Sequence, residues 1–344
     1  MTAVERAQAL DTFIEKAGWN DAQRHPLQAD ASFRRYIRLS RAHQSDTSRV
    51  MVMDAPPPKE DVQPFIKVAR HLTGMGFSAP AIIQDDVELG FLLLEDLGDD
   101  TFTNLLQQGS DETQLYASAI DTLAALHQHP ECNDIQVAAY DENELLSEAS
   151  LLVDWYFPEV NGLFCTAGQK QSYQQAWSQV FNQLPKLADT LVLRDFHVDN
   201  LMLLDRSGAA NCGLLDFQDA LMGSPAYDVT SLLEDARRDI QPEFRQAMLN
   251  RYFEQHPQIN QDDFMQWYRV LSAQRHAKII GIFTRLYRRD NKATYLPHLE
   301  RVIGLLSMHL QHKQLAPVAR WLEKECPHYK NIPATLKGPQ GKTS

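Results

Sequence analysis

The chain has 344 residues, of which 44% are hydrophobic and 23% are charged, a composition that excludes an intrinsically disordered chain. Its formal net charge of −12 argues against nucleic-acid binding and against docking on anionic lipid, because both partners need a basic surface. The N-terminus has no signal-peptide apolar core, and no apolar run reaches the roughly 18 residues of a membrane span. The sequence therefore predicts a cytoplasmic protein without a membrane or nucleic-acid partner.

The first hundred residues show the pattern of a small sheet with two helices. Apolar residues at helical spacing predict a helix over 3–17. Strand-like runs at 26–39 and 49–55, separated by a polar stretch, predict a hairpin, and three prolines end its second strand. A second helix is predicted over 59–73. Two short apolar runs then predict two more strands before a polar and glycine-containing stop at Gly98.

After Gly98 the pattern is mainly helical, interrupted by a compact strand-rich patch at 191–220. Helices are predicted over 112–127, 141–154, 171–184, 229–252, 262–289 and 297–312. The sequence thus predicts an α+β fold with three parts. These are an N-terminal lobe over 1–97 with a small antiparallel sheet, a mainly helical lobe over 98–329 and a mobile tail over 330–344. Four cysteines without C-x-x-C spacing indicate neither a zinc site nor a disulfide framework.

The strand-rich patch holds the densest cluster of polar residues at chemically meaningful spacing. Asn200 follows Asp195 by five residues, and Asp216 follows the apolar pair Leu214 and Leu215. This spacing suits phosphoryl transfer, in which the first aspartate accepts the proton of an attacking hydroxyl. The asparagine and the second aspartate would give hard oxygen ligands to the Mg²⁺ that bridges the ATP phosphates. Aspartate and asparagine are also common turn residues, but the flanking apolar runs favour the catalytic interpretation.

Several segments resemble the aminoglycoside phosphotransferase and choline kinase superfamily, which has a bilobal protein-kinase-like fold. They are LRDFHVDNLM (193–202), GLLDFQDALMGSPAYDVTSLL (213–233), FLLLEDLG (91–98), LAALH (123–127) and MGFSAPAII (75–83). Other segments resemble the bacterial N-acetylmuramate/N-acetylglucosamine anomeric kinases of cell-wall recycling, which phosphorylate the C1 hydroxyl of the free sugar. They are DASFRRYIRL (30–39), VMDAPPPKED (52–61) and QRHAKIIGIFTRLYRRDNKATYL (274–296).

The resemblance implies a bilobal protein-kinase-like α+β fold and an ATP- and Mg²⁺-dependent kinase acting on a hydroxyl of an amino sugar. It implies that Asp195 is the catalytic base, with Arg194 beside it in the catalytic loop. It also implies that Asn200 and Asp216 bind Mg²⁺. Asp228 would be a buried anchor for the catalytic loop.

On the nucleotide side, the resemblance implies that the backbone of Glu95 to Leu97 hydrogen-bonds the adenine. The strand that normally supplies a phosphate-binding lysine or arginine has Met53 at that position. Another cation must therefore serve the phosphates, and the preceding strand offers Arg34, Arg35 and Arg38. On an alternating strand Arg34 and Arg38 share one face, while Arg35 points the other way.

The phosphate-covering loop also departs from the family pattern, because it has no glycine. Ser32 would donate to a phosphate in place of the usual backbone contacts. Leu193 replaces the histidine that usually braces the catalytic loop. Glu60 and Asp61 are interpreted as the acidic pair that any helix favours at its N-terminus.

The acceptor side is predicted from position in the fold. Asp154 and Trp155 lie where the family lines its acceptor pocket, and an aromatic face suits a sugar ring. Arg275 and Lys278 lie on one predicted helix, and Lys278 could face a carboxylate such as the lactyl group of N-acetylmuramate. An aminoglycoside, choline or homoserine acceptor is the alternative within the enzyme class. A nucleotide-binding pseudokinase is the alternative outside it. The sequence does not predict an oligomeric state.

Overall fold

The computed structural model describes most of the chain. It covers residues 1–27, 33–42 and 47–337.

Contacts between Cα atoms divide the chain into two compact units. The first unit consists of Met1–Ile135 and Val198–Ala220. The second unit consists of Gln136–His197 and Leu221–Ser344. The lobe boundary that the sequence places after residue 97 stays a prediction, since it concerns a division by function.

The first unit is built on a five-stranded antiparallel sheet. Its strands are β1 (Gln23–Pro26), β2 (Arg35–Ala42), β3 (Thr47–Asp54), β4 (Ile82–Asp86) and β5 (Phe91–Glu95). Their order in the sheet is β1-β2-β3-β5-β4, so β3 is central. The predicted hairpin is formed by β2 and β3, with Tyr36 opposite Met53.

The N-terminal helix, α1 (Ala3–Lys16), covers one face of this sheet. A capping box starts it, because the Thr2 side chain accepts from the Glu5 amide and the Glu5 side chain accepts from the Thr2 amide. The helix buries Phe13 and Ile14 in a cluster that contains Val52 of β3. Since side chains alternate across a strand, the odd-numbered positions of β3 face the other side of the sheet.

The first unit continues with helices α2 (Gln63–Gly74), α3 (Phe102–Gln107) and α4 (Glu112–Gln128).

The strand-rich patch contains four short strands in two antiparallel ladders. They are β6 (Thr190–Val192), β7 (Leu201–Leu203), β8 (Cys212–Leu214) and β9 (Leu221–Gly223). The β7–β8 ladder belongs to the first unit and the β6–β9 ladder to the second.

The second unit is otherwise helical. Its helices are α5 (Glu142–Leu151), α6 (Phe157–Asn161), α7 (Ala167–Phe181), α8 (Ala226–Leu233), α9 (Pro242–Gln255), α10 (Gln261–Asp290), α11 (Leu299–His309) and α12 (Ala316–Glu325). The long helix α10 packs against α5, α8 and α11. Gly281 allows the close approach to α5, because a Cβ there would lie 2.3 Å from the Leu151 carbonyl carbon.

This architecture confirms the predicted α+β class, with a small antiparallel sheet and a mostly helical remainder. The single helix predicted over 229–252 is wrong, because α8 ends at Leu233 and α9 starts only at Pro242. Between them the chain buries Glu234 and Asp235, each 2% exposed, and tertiary contacts override the helical pattern. Within the predicted tail, Leu336 is buried, while residues 338–344 lie outside the described part.

The described residues contain four free cysteines. Among the helices of the described ranges, none combines the length and apolar character needed to cross a membrane.

Candidate active site

A cavity of about 500 Å³ opens in the first unit, on the face of the sheet opposite α1. Met51 of β3 lines it, as the alternation along that strand requires. Residues predicted as the nucleotide and metal site meet in its wall. They are Arg34, Glu95, Leu97, Asn200 and Asp216.

The β7–β8 ladder brings the two predicted metal ligands to this wall. The ladder pairs Leu201 with Leu214, and the Leu215 amide extends it by donating to the Asn200 carbonyl at 2.9 Å. The next residue, Asp216, has a φ of 57°, a left-handed conformation that turns the chain out of the ladder. Strained backbone of this kind is held at functional sites by the surrounding structure.

The donor chemistry of this pair fits Mg²⁺. Asp216 offers a half-exposed carboxylate and Asn200 an amide oxygen, both hard ligands of the kind that Mg²⁺ prefers. The Gln218 amide nitrogen donates to Asp216 Oδ1 at 2.9 Å and orients the carboxylate.

The segment after β5 forms another part of the cavity wall. The Glu95 amide donates to the Ala81 carbonyl at 2.8 Å, and the Glu95 carboxylate binds Arg206. Within residues 1–27, 33–42 and 47–337, no acceptor is found for the Leu97 amide. Leu97 therefore presents a backbone donor at the cavity, as the prediction for adenine binding requires.

The predicted phosphate-binding residues are placed differently from one another. Arg34 lies in the cavity wall. Arg35 does not line the cavity, because its side chain is 59% exposed and binds Asp54 at 2.6 Å. Ser32 lies outside the described residues.

The predicted catalytic loop lies in the second unit and is held by one buried carboxylate. The two oxygens of Asp228 accept from the Leu193 amide at 2.6 Å and the Arg194 amide at 2.9 Å. Arg194 has a φ of 71°, and the Asp195 amide donates to the Leu193 carbonyl at 2.9 Å. Burial raises the pKa of Asp228 to about 7, although the two amide bonds oppose this shift. Asp228 thus shapes the turn that presents Asp195.

Replacing Asp228 by asparagine is expected to lower the free energy of unfolding. An asparagine side chain has one acceptor oxygen, so its NH₂ group would meet one of the two loop amides. A buried donor left without an acceptor costs about 1–3 kcal/mol. The measurement is urea unfolding followed by tryptophan fluorescence. Four of the five tryptophans, 155, 177, 267 and 321, lie in the second unit.

The matched control for this variant is Asp239→Asn. Asp239 belongs to the same unit and pairs with Arg301, but its side chain is 73% exposed, so its loss should cost less than about 1 kcal/mol. Equal losses for Asp228→Asn and Asp239→Asn would contradict the anchoring role of Asp228.

A second buried carboxylate, Glu148 of α5, connects the catalytic loop to α10. It binds the Arg194 side chain and accepts from Lys278 Nζ at 2.6 Å, the Tyr140 hydroxyl and Gln274 Nε2 at 3.2 Å. Burial alone would raise the pKa of Glu148, but the two cations outweigh it and lower the pKa to about 2. Glu148 therefore stays ionised and fixes both cations.

The other predicted acceptor residues are spread over the second unit. Arg275 is 5% exposed and donates to Ser231 Oγ at 2.7 Å. Both carboxylate oxygens of Asp154 accept from Lys170 Nζ at 2.7 Å. Trp155 is half-buried in the π-helical turn that follows α5. Their contact with a substrate stays a prediction.

One further cluster in the second unit has metal-ligand residue types. The ligand atoms of Glu234, His276 and His309 lie within 4.8 Å of one another, and all three residues are buried. Glu234 already accepts from Arg245 Nη1 at 2.9 Å and pairs with His309 Nε2 at 2.7 Å. A guanidinium beside the carboxylate disfavours a second cation. We interpret this cluster as a buried ion network that holds α8 and α9 to α10 and α11.

The sequence analysis did not identify two residues of these arrangements, Glu60 and Glu148. Glu148 follows two other acidic residues of α5, a pattern typical of a solvated helix face. Glu60 precedes α2 and resembles a helix N-terminal acid. Neither has a sequence signal of its own, because their partners lie far away along the chain.

Curated proteins resemble this chain over most of its length. A protein of Caulobacter vibrioides named N-acetylmuramate/N-acetylglucosamine kinase is 32% identical, over 94% of this chain and 97% of its own. A protein of the same name from Pseudomonas aeruginosa is 36% identical, over 84% of this chain and 85% of its own.

A solved structure and a family model agree with these relatives. The crystal structure of choline kinase LicA from Streptococcus pneumoniae matches with a TM-score of 0.61 and 10% identity, over 88% of this chain and 99% of its own. It confirms the predicted protein-kinase-like fold. The model of the phosphotransferase enzyme family matches residues 24–274. The chain belongs to the phosphotransferase enzyme family.

Proposed function

We propose that this protein is an ATP- and Mg²⁺-dependent sugar kinase. It transfers the γ-phosphate to the anomeric C1 hydroxyl of N-acetylmuramate or N-acetylglucosamine, in the cytoplasm and as a step of cell-wall recycling. The observation that carries the proposal is the 32–36% identity to kinases named for these two sugars, over most of both chains. The geometry of the two units supports it independently.

The cavity of the first unit suits a nucleotide. The Leu97 amide would donate to the adenine, and the carbonyl of Glu95 would accept from it. Asn200 and Asp216 would hold Mg²⁺, which neutralises charge on the ATP phosphates when it is bound. The apolar part of the wall, with Met51 and Leu94, suits the face of a flat base.

The loop of the second unit suits the proton transfer. Asp195 would accept the proton of the acceptor hydroxyl as its oxygen attacks the γ-phosphate. Arg194, held by Glu148 and Asp228, keeps the loop in its left-handed turn. Phosphoryl transfer depends on positioning, so a loop fixed by two buried carboxylates serves the reaction.

The acceptor is tested with a panel of hydroxyl compounds. ATP consumption is measured with N-acetylmuramate, N-acetylglucosamine, choline, homoserine and kanamycin. The expected result is turnover with the two sugars and none with the other three compounds. Turnover with choline and with neither sugar would contradict the sugar-kinase proposal. Intact ATP binding without turnover on any compound would favour a pseudokinase.

A further inference from the structure

The position of the usual phosphate-binding lysine is occupied by Met53. This residue lies on the central strand β3 and is 1% exposed. It carries no charge, so the phosphates of a nucleotide need a cation from another element. Two of the described residues in the cavity wall are cations, Arg34 and Arg38.

Arg38 is committed to other partners. Its Nε lies 2.6 Å from Asp96 Oδ2 and its Nη1 lies 2.7 Å from Asp99 Oδ1. Its Nη2 donates to the Gly98 carbonyl at 3.0 Å. This fork fastens β2 to the segment after β5, which is a structural use of all three nitrogens.

Arg34 has a different environment. Its side chain is 15% exposed, with Nε 3.5 Å from Glu60 Oε2 and Nη2 3.8 Å from Asp216 Oδ1. Both distances exceed the roughly 2.8 Å of a charge-assisted hydrogen bond. The guanidinium therefore lies between a carboxylate that orients it and the predicted metal ligand. It reaches the cavity from the strand next to Met53, since Tyr36, two residues on, is opposite Met53.

Glu60 is positioned by the same loop. It lies three residues before α2 begins at Gln63, so it is not a first-turn acid of that helix. Its Oε1 accepts from the Phe33 amide at 3.0 Å, next to the residue that its Oε2 approaches. Glu60 thus contacts two consecutive residues of the chain that enters β2, and it is 18% exposed. Its charge and place suit a residue that orients a guanidinium.

We propose that Arg34 is the cation that binds the outer phosphates of the nucleotide and that Glu60 is the residue that positions it. The pair takes the place of a lysine on β3 and its acidic partner. This assignment rests on the proposed function, because it needs a nucleotide in the cavity of the first unit. A guanidinium beside Asp216 can contact a phosphate oxygen while Asp216 binds the metal on the same phosphates.

Calorimetric titration of the full chain tests the pair. Wild-type protein and Arg34→Met are titrated with Mg²⁺-ATP and with adenosine. Arg34→Met is expected to bind ATP about 10- to 100-fold more weakly, the effect of losing a hydrogen bond between charged groups, and to bind adenosine as wild type does. Glu60→Gln is expected to weaken ATP binding less than Arg34→Met, with adenosine again unchanged.

The matched control is Arg70→Met, on α2 of the same unit. Arg70 is 64% exposed and pairs with Asp85, so both affinities should stay at the wild-type value. Arg34→Gln keeps a polar side chain and is expected to show the same ATP-selective loss, should Arg34→Met fail to fold.

The outcomes separate this assignment from the proposed function. Arg34 variants that bind ATP within about twofold of wild type would overturn the assignment. Equal losses for ATP and adenosine would overturn it as well, because Arg34 would then shape the cavity rather than bind phosphate. A wild-type protein that binds adenosine and ATP with equal affinity would contradict both. Failure of the sugars as acceptors, with the ATP-selective loss intact, would contradict only the proposed function.

Discussion

Asp195→Asn is expected to lower kcat by about 10²- to 10⁴-fold, the contribution of a general base to proton transfer. Asparagine has nearly the same shape as aspartate but does not accept a proton from the acceptor hydroxyl. The loop should keep its conformation, because Asp228 and Glu148 hold the neighbouring residue Arg194. Steady-state turnover of ATP with N-acetylglucosamine measures the effect. The affinity for Mg²⁺-ATP, measured by calorimetry, should stay within about twofold of wild type.

The control for this substitution is Asp205→Asn. Asp205 is exposed and lies in the turn after β7, so the same change of charge should leave kcat unaltered. A kcat for Asp195→Asn within tenfold of the wild-type value would show that Asp195 is not the base.

Asp216→Asn is expected to lower kcat/KM by about 10²-fold or more, the scale on which placed charges stabilise a transition state. The substitution removes the charged metal ligand with little change of the backbone, because asparagine also tolerates the left-handed φ of 57° found here. Weaker metal binding should also raise the Mg²⁺ concentration needed for half-maximal rate. A titration of the rate with Mg²⁺ measures both effects.

Asp205→Asn again serves as the control, since it removes a carboxylate of the same unit outside the cavity. An unchanged Mg²⁺ requirement in Asp216→Asn, whatever the rate, would remove Asp216 from the metal site.

Much of the fold could be predicted from local patterns. The hairpin β2–β3 and helix α10 appear in the sequence as runs of the right period and length. The helix predicted over 229–252 failed, because Glu234 and Asp235 are buried in contacts with distant residues. Glu234 pairs with His309, 75 residues further along the chain, and no local pattern indicates such a partner. Helix α12 was likewise not predicted.

The candidate site divides in the same way. Asp195, Asn200 and Asp216 were predicted because their spacing is local and chemically distinctive. The positions that distinguish Arg34 from Arg35 were not, because they depend on Glu60 and Asp54. Glu148 was missed because it gains its meaning from Arg194 and Lys278, which are 46 and 130 residues away. Residues that act through long-range ion pairs become visible only in the folded chain.

The place of the phosphate on the sugar tests the central claim most directly. Wild-type protein is incubated with Mg²⁺-ATP and N-acetylmuramate, and the product is analysed by mass spectrometry and by a reducing-end assay. A C1 phosphate blocks the reducing end, whereas a phosphate on any other hydroxyl leaves it free. The account predicts a singly phosphorylated sugar without a reducing end. A phosphorylated sugar that keeps its reducing end, or no phosphorylated sugar at all, would contradict it.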